Sequence, residues 1–142
     1  MGQLYAGTNG VNTEAEDQVF KASKVTERAD VATVTDAGAA TYTAAQVLGG
    51  IILRDPTGDN RTDVLPTAAL LVAAMKNPAV GDIVKCKVIN NADANEVITI
   101  SAGANGDIAQ IAATRVIPQN TSRDLFIRIT GIGSSAAYIV YM

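Results

Sequence analysis

The sequence contains no histidine, no tryptophan and only one cysteine, and its aromatic content is 4%. Histidine is the commonest general base and metal ligand, so its absence excludes Ser-His-Asp and Cys-His catalytic arrangements. A single cysteine excludes an internal disulfide framework, and folding in a reducing cytoplasm is expected. The hydrophobic content of 48% consists mainly of alanine, valine and isoleucine, which suit a β-sheet core better than an aromatic-lined ligand pocket.

Long apolar runs and clustered basic residues are missing as well. No apolar stretch approaches the roughly 18 residues of a membrane span, and no basic-then-apolar leader opens the chain. In residues 1–40 six acidic residues outnumber three basic ones, which accounts for the net charge of −3, whereas residues 41–142 are balanced. Nucleic-acid binding requires clustered lysine and arginine. We therefore expect neither a nucleic-acid nor a membrane partner.

Composition divides the chain into an extended N-terminal arm, residues 1–40, and a β-rich domain, residues 41–142. Apolar residues in the arm are too widely spaced for a helix, although Val31–Thr35 could form a short strand. The arm carries four apolar residues that are larger than a solvated tail requires: Leu4, Tyr5, Val19 and Phe20. A solvated terminus is one interpretation. We favour an arm whose four large residues contact another subunit or a partner, for example by adding a strand to a sheet edge.

The β-rich domain is predicted to contain two short helices and a series of strands. Thr43 and Gln46 match a capping box ahead of a Gly-Gly stop, and Pro66 opens a second helix that runs to Lys76. Strands are predicted at 51–54, 83–89, 96–101, 108–117, 123–130 and 136–141. The strands 83–89 and 96–101 are expected to pair as an antiparallel hairpin. The even spacing predicts a mainly β fold, an antiparallel sandwich or barrel.

Alternation within the strands identifies the predicted core. The clearest apolar face consists of Leu125, Ile127 and Ile129. Cys86 falls on the apolar face of the strand 83–89. It is predicted to be a small core residue rather than a reactive thiol, because the chain has no histidine or second cysteine to activate it.

Asp55, Asp59 and Asp63 recur every four residues and raise the question of a metal site. A calcium-binding EF-hand loop needs acidic or amide residues at alternate positions, glycine sixth and glutamate twelfth, and this loop does not have that order. We therefore predict a solvated turn with a local pair between an aspartate and Arg61. No catalytic residue, cofactor or metal ligand is assigned, and the chain is predicted not to be an enzyme.

Three segments of the β-rich domain resemble a small β domain of tailed-bacteriophage virion structural proteins. They are ILRDPTGDNRTDVLPTAALLVAAM, VGDIVKCKVINNADANEVITISAG and IPQNTSRDLFIRITGIGSSAAYIVY. The short chain, single domain and arm are similar to capsid decoration (cement) proteins. The resemblance implies a homotrimer that binds the outer surface of the phage head and stabilises contacts between major capsid subunits. Such a protein is part of the virion and is assembled in the host cytoplasm.

Two other functions remain open. A head-fibre or tail-associated knob protein would meet the host surface, although four tyrosines and no tryptophan make a glycan-binding platform less expected. A small-ligand or calcium-binding β module belongs to a different class, and a change in thermal stability with Ca²⁺ would reveal it.

Overall fold

The computed structural model describes residues 28–142 as nine strands and two short α-helices around one hydrophobic core. The helices are α1 (Ala44–Gly49) and α2 (Ala68–Ala74). The strands are β1 (Asp30–Val34), β2 (Gly50–Arg54), β3 (Arg61–Val64), β4 (Ile83–Asn90), β5 (Ile98–Ser101), β6 (Gly106–Ile108), β7 (Val116–Ile117), β8 (Ser122–Gly131) and β9 (Ala137–Tyr141). The prediction of a mainly β fold with one or two short helices is confirmed.

The strands form two open, mixed sheets. The larger sheet has the order β1-β2-β4-β8-β9-β6 and the smaller one β3-β5-β7. Four pairs are parallel, namely β1 with β2, β2 with β4, β3 with β5 and β6 with β9. The expectation of purely antiparallel sheets is thus corrected. Two parallel neighbouring strands must be joined by a long crossover connection. Between the two strands of each parallel pair, the chain passes through a helix or through the other sheet.

The predicted hairpin of 83–89 with 96–101 is wrong. β4 pairs with β2 and β8, whereas β5 pairs with β3 and β7 in the smaller sheet. Asn90 explains the change of sheet. Its buried amide nitrogen donates to the carbonyls of Glu96 and Ile117, each at 2.9 Å, and its Oδ1 accepts from Ala92 N at 3.1 Å. These bonds turn the chain out of the larger sheet at the end of β4.

Both helices begin near their predicted positions. At α1 both capping-box hydrogen bonds are present, between Thr43 and Gln46. At α2 the cap is Thr67, which accepts from Leu70 N at 3.3 Å, so Pro66 precedes the helix instead of opening it. The helix ends before Lys76, because Met75 takes an extended backbone with ψ of 147°.

One core joins the two sheets and the helices. The predicted inward residues of β8, Leu125, Ile127 and Ile129, are fully buried, and Cys86 is 2% exposed. The short strand predicted within the arm is confirmed as β1, which pairs with β2. Val34 and Ala40 also belong to the core. Residues 30–40 are therefore built into the sheet body.

Candidate contact surface

An apolar groove of about 650 Å³ lies between the start of α1 and one face of α2. Tyr42 and Leu65, both 1% exposed, lie at its base. Its walls are formed by small and apolar side chains: Ala44 and Ala45 from α1, and Leu70, Ala73 and Ala74 from α2. We call this feature the α2 groove. Its lining can contact an apolar segment, and the residues named here bring no charge to it.

The exposed wall of the α2 groove follows from the sequence of α2, AALLVAA, which has no polar residue. Ala68, Leu71 and Val72 face the core. Leu70, Ala73 and Ala74, spaced i, i+3 and i+4 on another face, are exposed, Leu70 by 62%. A helix that is hydrophobic all round is typically buried all round. This second apolar face therefore marks a surface suited to contact.

A buried ion pair fixes the chain beside the groove. Arg54 and Asp63 are both 0% exposed, and Arg54 Nε donates to Asp63 Oδ2 at 2.7 Å. Arg54 also donates to the carbonyls of Asp36 and Gly38, at 2.8 and 2.6 Å. Asp63 accepts from Ala40 N at 2.8 Å. The segment 36–42 is thereby tied to β2 and β3.

Tyr42 completes this network at the base of the α2 groove. Its hydroxyl donates to Asp63 Oδ2 at 2.8 Å. Burial, then the charge of Asp63 and this hydrogen bond, raise the pKa of Tyr42 above its ordinary value. Burial alone would lower the pKa of Arg54, but the hydrogen bonds and charge of Asp63 raise it overall. Both groups therefore stay protonated, and the hydrogen bonds at the base of the groove are kept.

β1 offers a second surface for contact. It is an end strand of the larger sheet, and its outer edge pairs with no other strand within residues 28–142. Val31 on this strand is 61% exposed. An exposed sheet edge presents unpaired backbone groups to which another chain can add a strand.

The predicted contact residues Leu4, Tyr5, Val19 and Phe20 lie outside the described residues. The described chain begins at Arg28, which lies with Ala29 beside Leu48, Gly49 and Gly50 at the end of α1. α1 spans roughly 9 Å at 1.5 Å per residue. The 27 residues that precede Arg28 are thus joined to the body about one helix length from the α2 groove. Sequence reasoning did not identify the groove, although the unbroken apolar run of α2 was its signal.

The three aspartates that share a spacing of four are separated in the structure. Asp59 lies 3.5 Å from Arg61, which confirms the predicted local pair. Asp63 is not in a solvated turn, since it is buried against Arg54. Asp55 instead lies close to Asp93 and Glu96 from the loop that follows β4. Spacing in sequence therefore did not indicate which acidic residues come together.

Cys86 lies in the core, as predicted. Its burial raises the pKa of the thiol to about 12. A thiol is nucleophilic as the thiolate, so burial keeps Cys86 in its unreactive form near neutral pH.

None of the helices within residues 28–142 has the length and apolar character needed to cross a bilayer. Comparison of the chain with protein-family models, with curated proteins and with solved structures finds no match in any of the three.

Proposed function

We propose that the protein is a non-enzymatic capsid decoration protein of a tailed bacteriophage. It binds the outer surface of the head as a homotrimer and stabilises contacts between major capsid subunits. The resemblance of the segments within Tyr42–Met142 to virion β domains supports the class of protein. The single observation that carries the mode of action is the α2 groove, an apolar surface that residues 28–142 leave exposed close to the point where residues 1–27 join the body.

The proposed occupant of the α2 groove is the segment 1–27 of a neighbouring copy. This segment contains Leu4, Tyr5, Val19 and Phe20, which are large enough to fill a groove with walls of alanine and leucine. An extended chain spans up to about 3.3 Å per residue, so 27 residues can reach an adjacent subunit. Exchange of this segment between three copies would link them into a closed ring.

A linked trimer also explains how shallow contacts could hold a decoration protein on a head. Once one subunit of the trimer is bound, the others bind at a high effective concentration, so overall avidity can exceed single-site affinity by roughly 10²–10⁴. The capsid contacts of each copy can then remain weak. Separation of the three copies would remove this advantage without changing any capsid contact.

The first test measures oligomeric state and head binding of the same variants. Leu70→Asp places a charge in the groove, and because Leu70 is 62% exposed the core is untouched. Deletion of residues 1–27 removes the proposed occupant and leaves β1 intact. We expect the wild type to be a trimer in light scattering and to saturate expanded heads. Both variants should be monomers, and their head binding should fall by roughly 10²-fold or more, as loss of avidity predicts.

Ile111→Asp provides the matched control, because Ile111 is 72% exposed and lies outside the groove. It should remain trimeric and bind heads. If Leu70→Asp stays trimeric, the assignment of the groove is wrong. A wild-type protein that ignores heads contradicts the decoration function, and electron cryo-microscopy density on the tail instead of the shell would favour the knob protein.

A further inference from the structure

Three acidic side chains from two separate loops meet at one end of the larger sheet. Asp55 directly follows β2, whereas Asp93 and Glu96 lie in the loop between β4 and β5. The structure places one carboxylate oxygen from each of them within 4.8 Å of the others. The two loops are about 40 positions apart in the chain, so the fold, and not local sequence, assembles the cluster.

No basic side chain within residues 28–142 neutralises these carboxylates. The salt bridges of this part of the chain are Arg54–Asp63, Arg61–Asp59 and Lys87–Asp124. Arg61, the first residue of β3 and the basic side chain next to this loop, pairs with Asp59 and donates to the carbonyl of Pro56. Like charges at such short separations repel, which makes the cluster unfavourable unless a cation joins it.

Glu96 gives independent evidence for a ligand. Glu96 is only 4% exposed. Oε1 accepts from Gly58 N at 2.6 Å, but the buried Oε2 has no hydrogen-bond partner within residues 28–142. Buried polar atoms are nearly always partnered, and an unpartnered carboxylate oxygen is strongly unfavourable. An ion bound between the three carboxylates would supply the missing partner.

We propose that Asp55, Asp93 and Glu96 bind a calcium ion. Calcium takes six to eight oxygen ligands at about 2.3–2.6 Å in flexible geometry. Two oxygens that share one such ion can be up to about 5 Å apart, and the cluster meets this limit. Asp93 is exposed, so water can complete the coordination from the solvent side. Asp55 is already oriented, because its Oδ1 accepts from Thr57 N at 3.0 Å.

The position of the cluster indicates what the ion does. Residues 55–60 carry the chain from β2 in the larger sheet to β3 in the smaller one, and residues 91–97 carry it from β4 to β5. One calcium ion at Asp55, Asp93 and Glu96 would join these two crossings. Because the site exists only in the folded chain, calcium would stabilise the packing of one sheet against the other.

The test combines calorimetric titration with thermal unfolding of the full chain. With three carboxylates and open coordination, the dissociation constant should be about 10⁻⁴–10⁻³ M. At about 10 mM Ca²⁺ the Tm should rise by roughly 4–8 °C, with reversal by a chelator. Sodium chloride of equal ionic strength should give no such rise. Magnesium should give less, because it demands octahedral geometry and dehydrates reluctantly.

Asp93→Asn removes the charge of one ligand at an exposed position and should strongly reduce both the heat of binding and the shift in Tm. Glu96→Gln keeps an acceptor for Gly58 N and should do the same. Asp59→Asn is the matched control, since it removes an equal charge from the same loop but lies outside the cluster. It should bind calcium like the wild type. Undetectable binding at 10 mM, an undiminished response in Asp93→Asn, or an equal magnesium response would overturn the proposal. The outcome does not depend on the virion role.

Discussion

Arg54 shows what allows a charged residue to lie in the core of this protein. Its guanidinium uses all five N–H donors, two to Asp63 and three to the carbonyls of Asp36, Gly38 and Asp55. Lysine could not replace it, because a single ammonium group cannot bond to two carboxylate oxygens and three carbonyls at once. The residue therefore both occupies core volume and fixes the backbone around it.

Removal of one partner of this buried pair should be far more harmful than removal of a surface pair. Asp63→Asn leaves the Arg54 charge buried without a counter-ion, and we expect a loss of about 3–5 kcal/mol in the free energy of unfolding. Asp59→Asn removes a partner that is exposed by 74%, and should cost at most ~1 kcal/mol. Urea unfolding without calcium measures both. Equal losses would contradict the structural role given to Arg54.

The sequence held a signal for this pair. Arg54 and Ile52 are two positions apart in β2, so their side chains lie on the same face of the strand, and both face the core. An inward-facing arginine requires an acidic partner, but the sequence alone left several aspartates to choose from. The spacing of Asp55, Asp59 and Asp63 predicts that Asp63 lies in a turn. Asp63 lies instead in β3, where the alternation of side chains along the strand directs it into the core. Tyr42, Glu96 and the α2 groove likewise depend on contacts between distant segments.

The sequence predicts which face of a strand is buried, but it does not predict which strand lies beside it. The alternation in β8 correctly gave its buried side, because every second side chain of a half-buried strand faces the core. Alternation identifies a face but leaves open which strand lies alongside. The polar loop after β4 has the composition of a hairpin turn, yet it carries the chain to the other sheet. The buried side chain of Asn90, the last residue of β4, makes the hydrogen bonds that hold the start of this loop in that course.

Asn90→Ala should therefore weaken the junction between the sheets. The change leaves the carbonyls of Glu96 and Ile117 and the amide of Ala92 without their side-chain partner. We expect a loss of about 2–4 kcal/mol, since unsatisfied buried groups cost ~1–3 kcal/mol each and some will recruit water. The neighbouring Asn91 is exposed, so Asn91→Ala should change stability by less than about 0.5 kcal/mol.

Hydrogen exchange would localise the effect of this substitution. In Asn90→Ala, faster exchange should appear first in β5 and β7, the strands next to the lost bonds, while the centre of β8 stays protected. Uniform acceleration through both sheets would show that Asn90 acts on the core as a whole and not at this junction.

The protein as a whole buries several weak acids in protonated form, and this sets an alkaline limit to its stability. Burial raises the pKa of Cys86 to about 12, and burial is also the largest cause of the raised pKa values of Tyr42 and Tyr138. Tyr138 remains inside because its hydroxyl donates to Pro66 O and accepts from Gly103 N, each at 2.9 Å. The charge of Cys86 is also one cause of the raised pKa of Tyr42, so the effects of these two groups on pH dependence are coupled.

The direction in which stability changes with pH follows from proton binding. Unfolding free energy changes with pH in proportion to protons bound by the unfolded chain minus those bound by the folded chain. Above about pH 8.5 the unfolded chain releases the Cys86 proton, and near pH 10 it releases tyrosine protons. The folded chain keeps these protons to higher pH, so the difference is negative. Stability from these groups is complete below pH 8.5 and is lost as pH rises toward their folded pKa values.

Urea unfolding between pH 7 and 11 should reveal this loss. Each group contributes up to about 1.4 kcal/mol per pH unit within its window. Cys86→Ala should flatten the decline that begins above pH 8.5, and Tyr42→Phe the decline above pH 10, whatever either change does to stability at pH 7. Tyr141→Phe, at a site exposed by 42%, should leave the slope unchanged. If stability declined with the same slope in every variant, the folded core would not be retaining the protons of Cys86 and Tyr42.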